Sequence, residues 1–233
     1  MTGTPFVLET GRACLETTQD ELPMLKWIAV ELRQHAPFTV FGAVTGVAIM
    51  VVLPLANVPR SLSAGLFWCL HPIHVLLSAM TTTAMYRLRG QGSLQRAIVI
   101  GYVGSIGIAT LSDSIIPYLG EWMLDLPNRQ VHLGFIERWW LVHPLAVAGI
   151  ILGYVWPHTT LPHAGHVLLS TLASLFHMSA AMGGPPGLGT AFVVGAFLFV
   201  AVWVPCCTSD IVFPLLFVKR DSRESLAVPR GTS

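Results

Sequence analysis

Two imidazoles three residues apart, His71 and His74, and a second such pair, His163 and His166, stand in sequence that is otherwise strongly apolar. On a helix this spacing puts both rings of a pair on one face, close enough to share an ion. The pairs belong to near-identical stretches, His71-Pro72-Ile73-His74-Val75-Leu76-Leu77-Ser78 and His163-Ala164-Gly165-His166-Val167-Leu168-Leu169-Ser170. Each is followed by a Ser-Asp-x-x-x-Pro segment, Ser112-Asp113 to Pro117 and Ser209-Asp210 to Pro214. Each is preceded by a Glu, a His and a Pro: Glu31, His35 and Pro37, then Glu137, His143 and Pro144. The same residue types recur in the same order, so the chain reads as an internal duplication. What it duplicates is a set of metal-competent groups.

Imidazole, carboxylate and thiolate together suit zinc, iron, manganese, nickel, cobalt or copper better than calcium or magnesium. A divalent transition metal is therefore the expected cofactor or cargo. A plainer reading stands beside it, in which His-Pro pairs cap membrane spans and Ser-Asp-x-x-x-Pro is a kink. Ionisable groups cost about 2.5–3.5 kcal/mol each at the centre of a bilayer span, which favours a site over a packing device. His177 breaks the duplication, because the first copy has Met85 at the equivalent place. It reads as a relay, an extra ligand or a satisfied core histidine. Cys206 and Cys207, within a turn of Asp210, are further candidate ligands, and Glu137 is another. His132 and His158 read as surface groups in loops.

The elements that must position these groups are membrane spans. The chain is 53% hydrophobic and 11% charged, where a soluble domain carries about 25% charged residues. From Trp139 through Ser209 there is no Lys, Arg, Asp or Glu, a stretch that requires several bilayer crossings. Apolar segments fall at about 38–58, 62–86, 95–119, 139–156, 163–182 and 189–218, which predicts an all-α polytopic protein of six transmembrane helices. The organisation expected is a cytoplasmic N-terminal segment over 1–37 with an interfacial helix, three-helix repeats over 38–119 and 139–218, an extracytoplasmic loop over 120–138, and a cytoplasmic tail over 219–233. Four cysteines form no evident disulfide framework, and adjacent Cys206 and Cys207 are poor partners for each other. A net charge of +1 speaks against a nucleic-acid partner. Gly101, Gly104 and Gly107 form a small-residue stripe suited to close helix contact, within the chain or in a homodimer.

Arg87, Arg89 and Arg96 crowd one connection, and Lys219, Arg220 and Arg223 follow the last span. The positive-inside rule then puts both termini in the cytoplasm of a bacterial or archaeal cell, with the protein in its cytoplasmic membrane. Three spans per repeat is an odd number, so the second copy enters upside down, giving a 3+3 inverted repeat. In architecture the chain looks like the small six-span families that export cations or amino acids or pass electrons. Under that topology His71, His74, Asp113 and His143 converge on the outer half of the membrane. His163, His166, Asp210 and His35, with Glu31, converge on the inner half. The function expected is secondary transport of the metal, with titratable ligands coupling release to protons. An intramembrane metal-dependent hydrolase or oxidoreductase is the alternative. Haem-based electron transfer ranks below both, because histidines three apart are poor opposite axial ligands. Enzymatic activity is left open, although no phosphate loop, G-x-S-x-G or H-E-x-x-H motif is present.

Overall fold

The computed structural model describes residues 59–89, 93–158, 160–182, 186–208 and 212–217, with 33, 36, 37, 40–49, 51 and 52 before them. Glu31, His35, Asp210, the expected interfacial helix and the C-terminal tail lie outside the described residues, as do the side chains of His163 and Cys207. No strand occurs among the described residues. The helices are α1 (Val40–Ile49), α2 (Arg60–Arg89), α3 (Leu94–Thr110), a π-helical turn (Leu111–Ile115), α4 (Ile116–Met123), α5 (Gly134–Glu137), α6 (Trp139–Val155), α7 (Thr160–Ala181), α8 (Leu188–Cys207) and α9 (Phe213–Leu216). Three continuous stretches, Arg60–Leu88, Leu94–Met123 and Leu188–Cys206, are long and apolar enough to cross a membrane. Large apolar side chains cover their outer faces, Val99, Val103 and Phe192 among them. This is the surface expected of helices facing lipid.

The hub is α2, which packs against α3, α6 and α7. Its start is set by Pro59, whose carbonyl accepts the Leu62 N–H at 2.9 Å. Glycines fix the approach of α6: Gly149 and Gly153, one turn apart, lie against the Leu76 and Met80 carbonyl oxygens of α2, where any Cβ would collide. The expected glycine stripe of α3 is used within the chain at Gly101, against Thr83 and Ile150, and at Gly104, against Phe213 and Thr82. Gly107 meets nothing within 4 Å. Residue numbers rise together across α2 and α6, so those helices are parallel. They run oppositely across α2 and α7, where Phe67 meets His177 and His74 meets His166. The two H-x-x-H helices are thus packed antiparallel.

Pro72 sits inside α2, directly after His71. It removes the bond to the Trp68 carbonyl and loosens the helix at the first imidazole. Pro144 follows His143 in α6, and Pro205 precedes Cys206 in α8. The largest departure from the sequence expectation concerns the third apolar segment. Helical structure continues to Met123 rather than ending near 119, because the π-helical turn and Pro117 are absorbed without a break. Glu121 therefore lies in the helix, fully buried, and not in the 120–138 loop. That loop in turn carries α5.

Candidate metal centre

Asp113 is the organising residue. It lies at the middle of the π-helical turn and is completely buried. An i→i+5 turn adds a residue to the helix and re-aims the side chains around it, which is why such turns are found at functional sites. Pro117, four residues on, has no N–H, so the main-chain carbonyls it would serve need other donors. One face of α7 supplies them. Ser174 Oγ donates to the Ser112 carbonyl at 3.0 Å, and His177 Nδ1 donates to the Asp113 carbonyl at 2.7 Å. One turn earlier on that face, Ser170 Oγ donates to Asp113 Oδ1 at 2.8 Å, and Ser112 Oγ donates to the same oxygen at 2.8 Å.

The other carboxylate oxygen holds the first histidine pair. Asp113 Oδ2 accepts from His71 Nδ1 at 2.9 Å and from His74 Nδ1 at 2.7 Å. A carboxylate accepts only, so both imidazoles donate through Nδ1 and keep their lone pairs on Nε2. This is the arrangement by which an outer carboxylate orients a metal-ligating histidine. His71 Nε2 is buried with no hydrogen-bond partner, a state that costs on the order of 1–3 kcal/mol. Its ring is stacked on Phe67 and lies against Gly134, where a Cβ would strike it.

His74 faces the second copy. Its ring centroid is 5.1 Å from that of His166, and one donor atom from each of His74, His166 and Cys206 falls within 4.8 Å of the others. All three residues are buried, and they come from three helices, α2, α7 and α8. His74 and His166 were expected in separate half-membrane sites. The structure places them side by side, because the antiparallel crossing of α2 and α7 brings the two H-x-x-H motifs to one level.

Toward the loop between α4 and α6 lies a cavity of about 210 Å³, lined in part by Arg60, Glu121, Asn128, Gln130, His132 and His177. His177 Nε2 faces the Gln130 carbonyl at 2.9 Å and Glu121 Oε1 at 3.5 Å, and Glu121 Oε2 accepts the Gln130 N–H at 3.3 Å. Both His177 nitrogens are turned to carbonyl oxygens, and a neutral imidazole has one N–H to give to them. His132 is half-buried rather than a surface group, packed on Phe67, Trp68 and His177. Phe67 touches His177 on the cavity side and His71 on the other. The Phe67 ring thus contacts both a histidine of the cavity wall and a histidine of the buried cluster.

His143 and Glu137 are engaged elsewhere. His143 Nδ1 pairs with the Tyr102 hydroxyl at 2.8 Å, with the rings stacked. Glu137 is exposed, accepts the Leu133 N–H at 2.7 Å and faces His132. His158 is exposed, as expected. Ser174, the Gln130 carbonyl and Glu121 had not been assigned a part in the site. A stripe at i, i+4 and i+7, Ser170, Ser174 and His177, was the available signal for the first.

No protein family, curated protein or solved structure matches this chain. Its function is therefore argued from the geometry above.

Proposed function

We propose that the protein is a six-span, 3+3 inverted-repeat secondary transporter of a divalent transition-metal cation, with both termini in the cytoplasm. The observation that carries this reading is the convergence of the duplicated groups. His71, His74 and Asp113 of the first copy and His166 and Ser170 of the second share one buried cluster. Packing alone gives no reason to gather so many polar groups in an apolar core, and their desolvation opposes it.

The inverted-repeat reading is supported by helix α4, which packs on α7, and helix α9, which packs on α2, an exchange that an in-plane pseudo-two-fold would produce. The loop-side cavity, whose wall residue His177 contacts the Asp113 carbonyl, supports an entrance from that side.

Proteoliposomes loaded with a metal-sensitive dye test the reading by scanning manganese, iron, zinc, nickel and cobalt against protein-free vesicles. Protein-dependent uptake of at least one ion is the expected result. Tightly bound metal with no flux of any ion would turn the assignment to an intramembrane metalloenzyme. A specific observation favours that second reading: the groups meet at one centre rather than at one on each face, and an enzyme needs its site once.

A further inference from the structure

We infer that the ion is a zinc-like divalent cation held by His74, His166 and the Cys206 thiolate, with Asp113 as a positioning residue outside the ligand set. The inference rests on the metal-transport reading and narrows it from the whole transition series to thiophilic, borderline-soft cations. The juxtaposition that carries it is the meeting of the three donor atoms, all buried and within 4.8 Å of one another. Zinc bonds of about 2.0–2.3 Å need the donors closer together, a contraction on the order of 1 Å. Side-chain rotation provides it, and the proline before Cys206 and the one two residues before His74 loosen the helices there.

Donor chemistry sets the class. One thiolate with two imidazoles selects zinc or related soft ions, whereas manganese and magnesium favour carboxylate, carbonyl and water oxygens. Asp113 spends all four of its contacts on orientation: Oδ2 holds His71 and His74, and Oδ1 holds Ser112 and Ser170. It acts on the ion through His74, whose Nδ1–H it fixes so that Nε2 points away from the carboxylate. Charge agrees with a divalent ion. Binding releases the Cys206 proton to solvent, and the thiolate and the Asp113 carboxylate together balance two positive charges in a low-dielectric core. A monovalent cuprous ion would leave one negative charge uncompensated. Three protein ligands also leave one coordination position open, as an ion that must be exchanged requires.

Divalent cobalt is the probe. Titrated into the purified full-length protein in detergent, it should give the intense visible bands of a four-coordinate ion and a near-ultraviolet thiolate-to-cobalt charge-transfer band. Cys206→Ser should abolish the charge-transfer band and weaken zinc, measured by competition, by at least the roughly 10–100-fold that loss of an outer partner costs. Cys69→Ser, at an exposed cysteine, should leave both unchanged. A pale six-coordinate spectrum, a charge-transfer band that survives Cys206→Ser, or manganese bound as tightly as zinc would each overturn the inference. With metal flux still present, such a result leaves the transport reading standing. Flux of zinc in proteoliposomes without any charge-transfer band assigns the ion to other ligands. Should Cys206→Ser fail to fold, a Cys14→Ser/Cys69→Ser/Cys207→Ser variant, which keeps Cys206 alone, should retain the charge-transfer band, and its loss there would overturn the inference.

Discussion

The Nδ1 nitrogen of His177 donates to the main-chain carbonyl of Asp113 at 2.7 Å, while its other nitrogen faces the Gln130 carbonyl beside the loop-side cavity. His177 thereby ties the cavity wall to the residue that orients His71 and His74. Pro117 leaves the Asp113 carbonyl without a main-chain donor, and His177 supplies one.

Replacing His177 should therefore act at a distance. His177→Ala removes the donor to the buried Asp113 carbonyl, and the expected loss of stability is on the order of 1–3 kcal/mol. Ser174→Ala removes the donor to the Ser112 carbonyl and should cost about 1 kcal/mol. Thermal unfolding in detergent measures both. Equal melting temperatures for His177→Ala and the parent protein would mean that this contact does not hold the π-helical turn.

Asp113→Asn tests orientation apart from bulk. The amide keeps the shape of the carboxylate, but its –NH₂ cannot accept the donors that now converge on both oxygens. At least one partner must turn away. Zinc affinity should fall about 10–100-fold, the usual effect of losing an outer-shell partner, with helicity by circular dichroism retained. Unchanged affinity would remove Asp113 from the account.

Gly134→Ala tests the packing that seats His71. A Cβ there would meet the edge of the His71 ring, whose face is stacked on Phe67 and whose Nδ1 is held by Asp113. Overpacking of this kind costs about 1–3 kcal/mol, and the displaced ring should perturb metal binding as well. Gly65→Ala, where a Cβ meets nothing within 4 Å, should be neutral or slightly stabilising. Similar stability for the two variants would show that His71 is not confined by the loop.

Topology has its own test. Gly90→Cys and Asp125→Cys, probed with a membrane-impermeant thiol reagent against the parent chain, should label from opposite faces. Labelling of both from one side would remove the inverted repeat.

Much of the fold is legible in the sequence, and the reasons are local. Punctuation by Pro59 and the Arg87–Arg89 cluster delimits the segment expected at 62–86, which is α2, Arg60–Arg89. The segment expected at 139–156 is α6, Trp139–Val155. The third segment runs past its expected end near 119 to Met123, the π-helical turn accommodating Pro117 without a break. For the centre, the H-x-x-H spacing identifies the face that His71 and His74 share. It says nothing of depth. Whether His74 meets His166 depends on the vertical register of α2 against α7, which close packing sets and side-chain periodicity does not encode. The pairing of His143 with Tyr102 has no sequence signal, since neither spacing nor type links the two. The partners of the Ser112 and Asp113 carbonyls were legible in principle, from Pro117 and the Ser170/Ser174/His177 stripe read together.

On the proposed reading, His74, His166 and Cys206 build one metal centre between α2, α7 and α8. The direct measurement is the metal-to-protein ratio of the full-length chain after zinc loading and removal of free ion, compared with a His74→Ala/His166→Ala variant. One zinc per chain, lost in the double variant while its helicity is retained, is the predicted result. Two zinc ions per chain, or an undiminished ratio in the double variant, would contradict it.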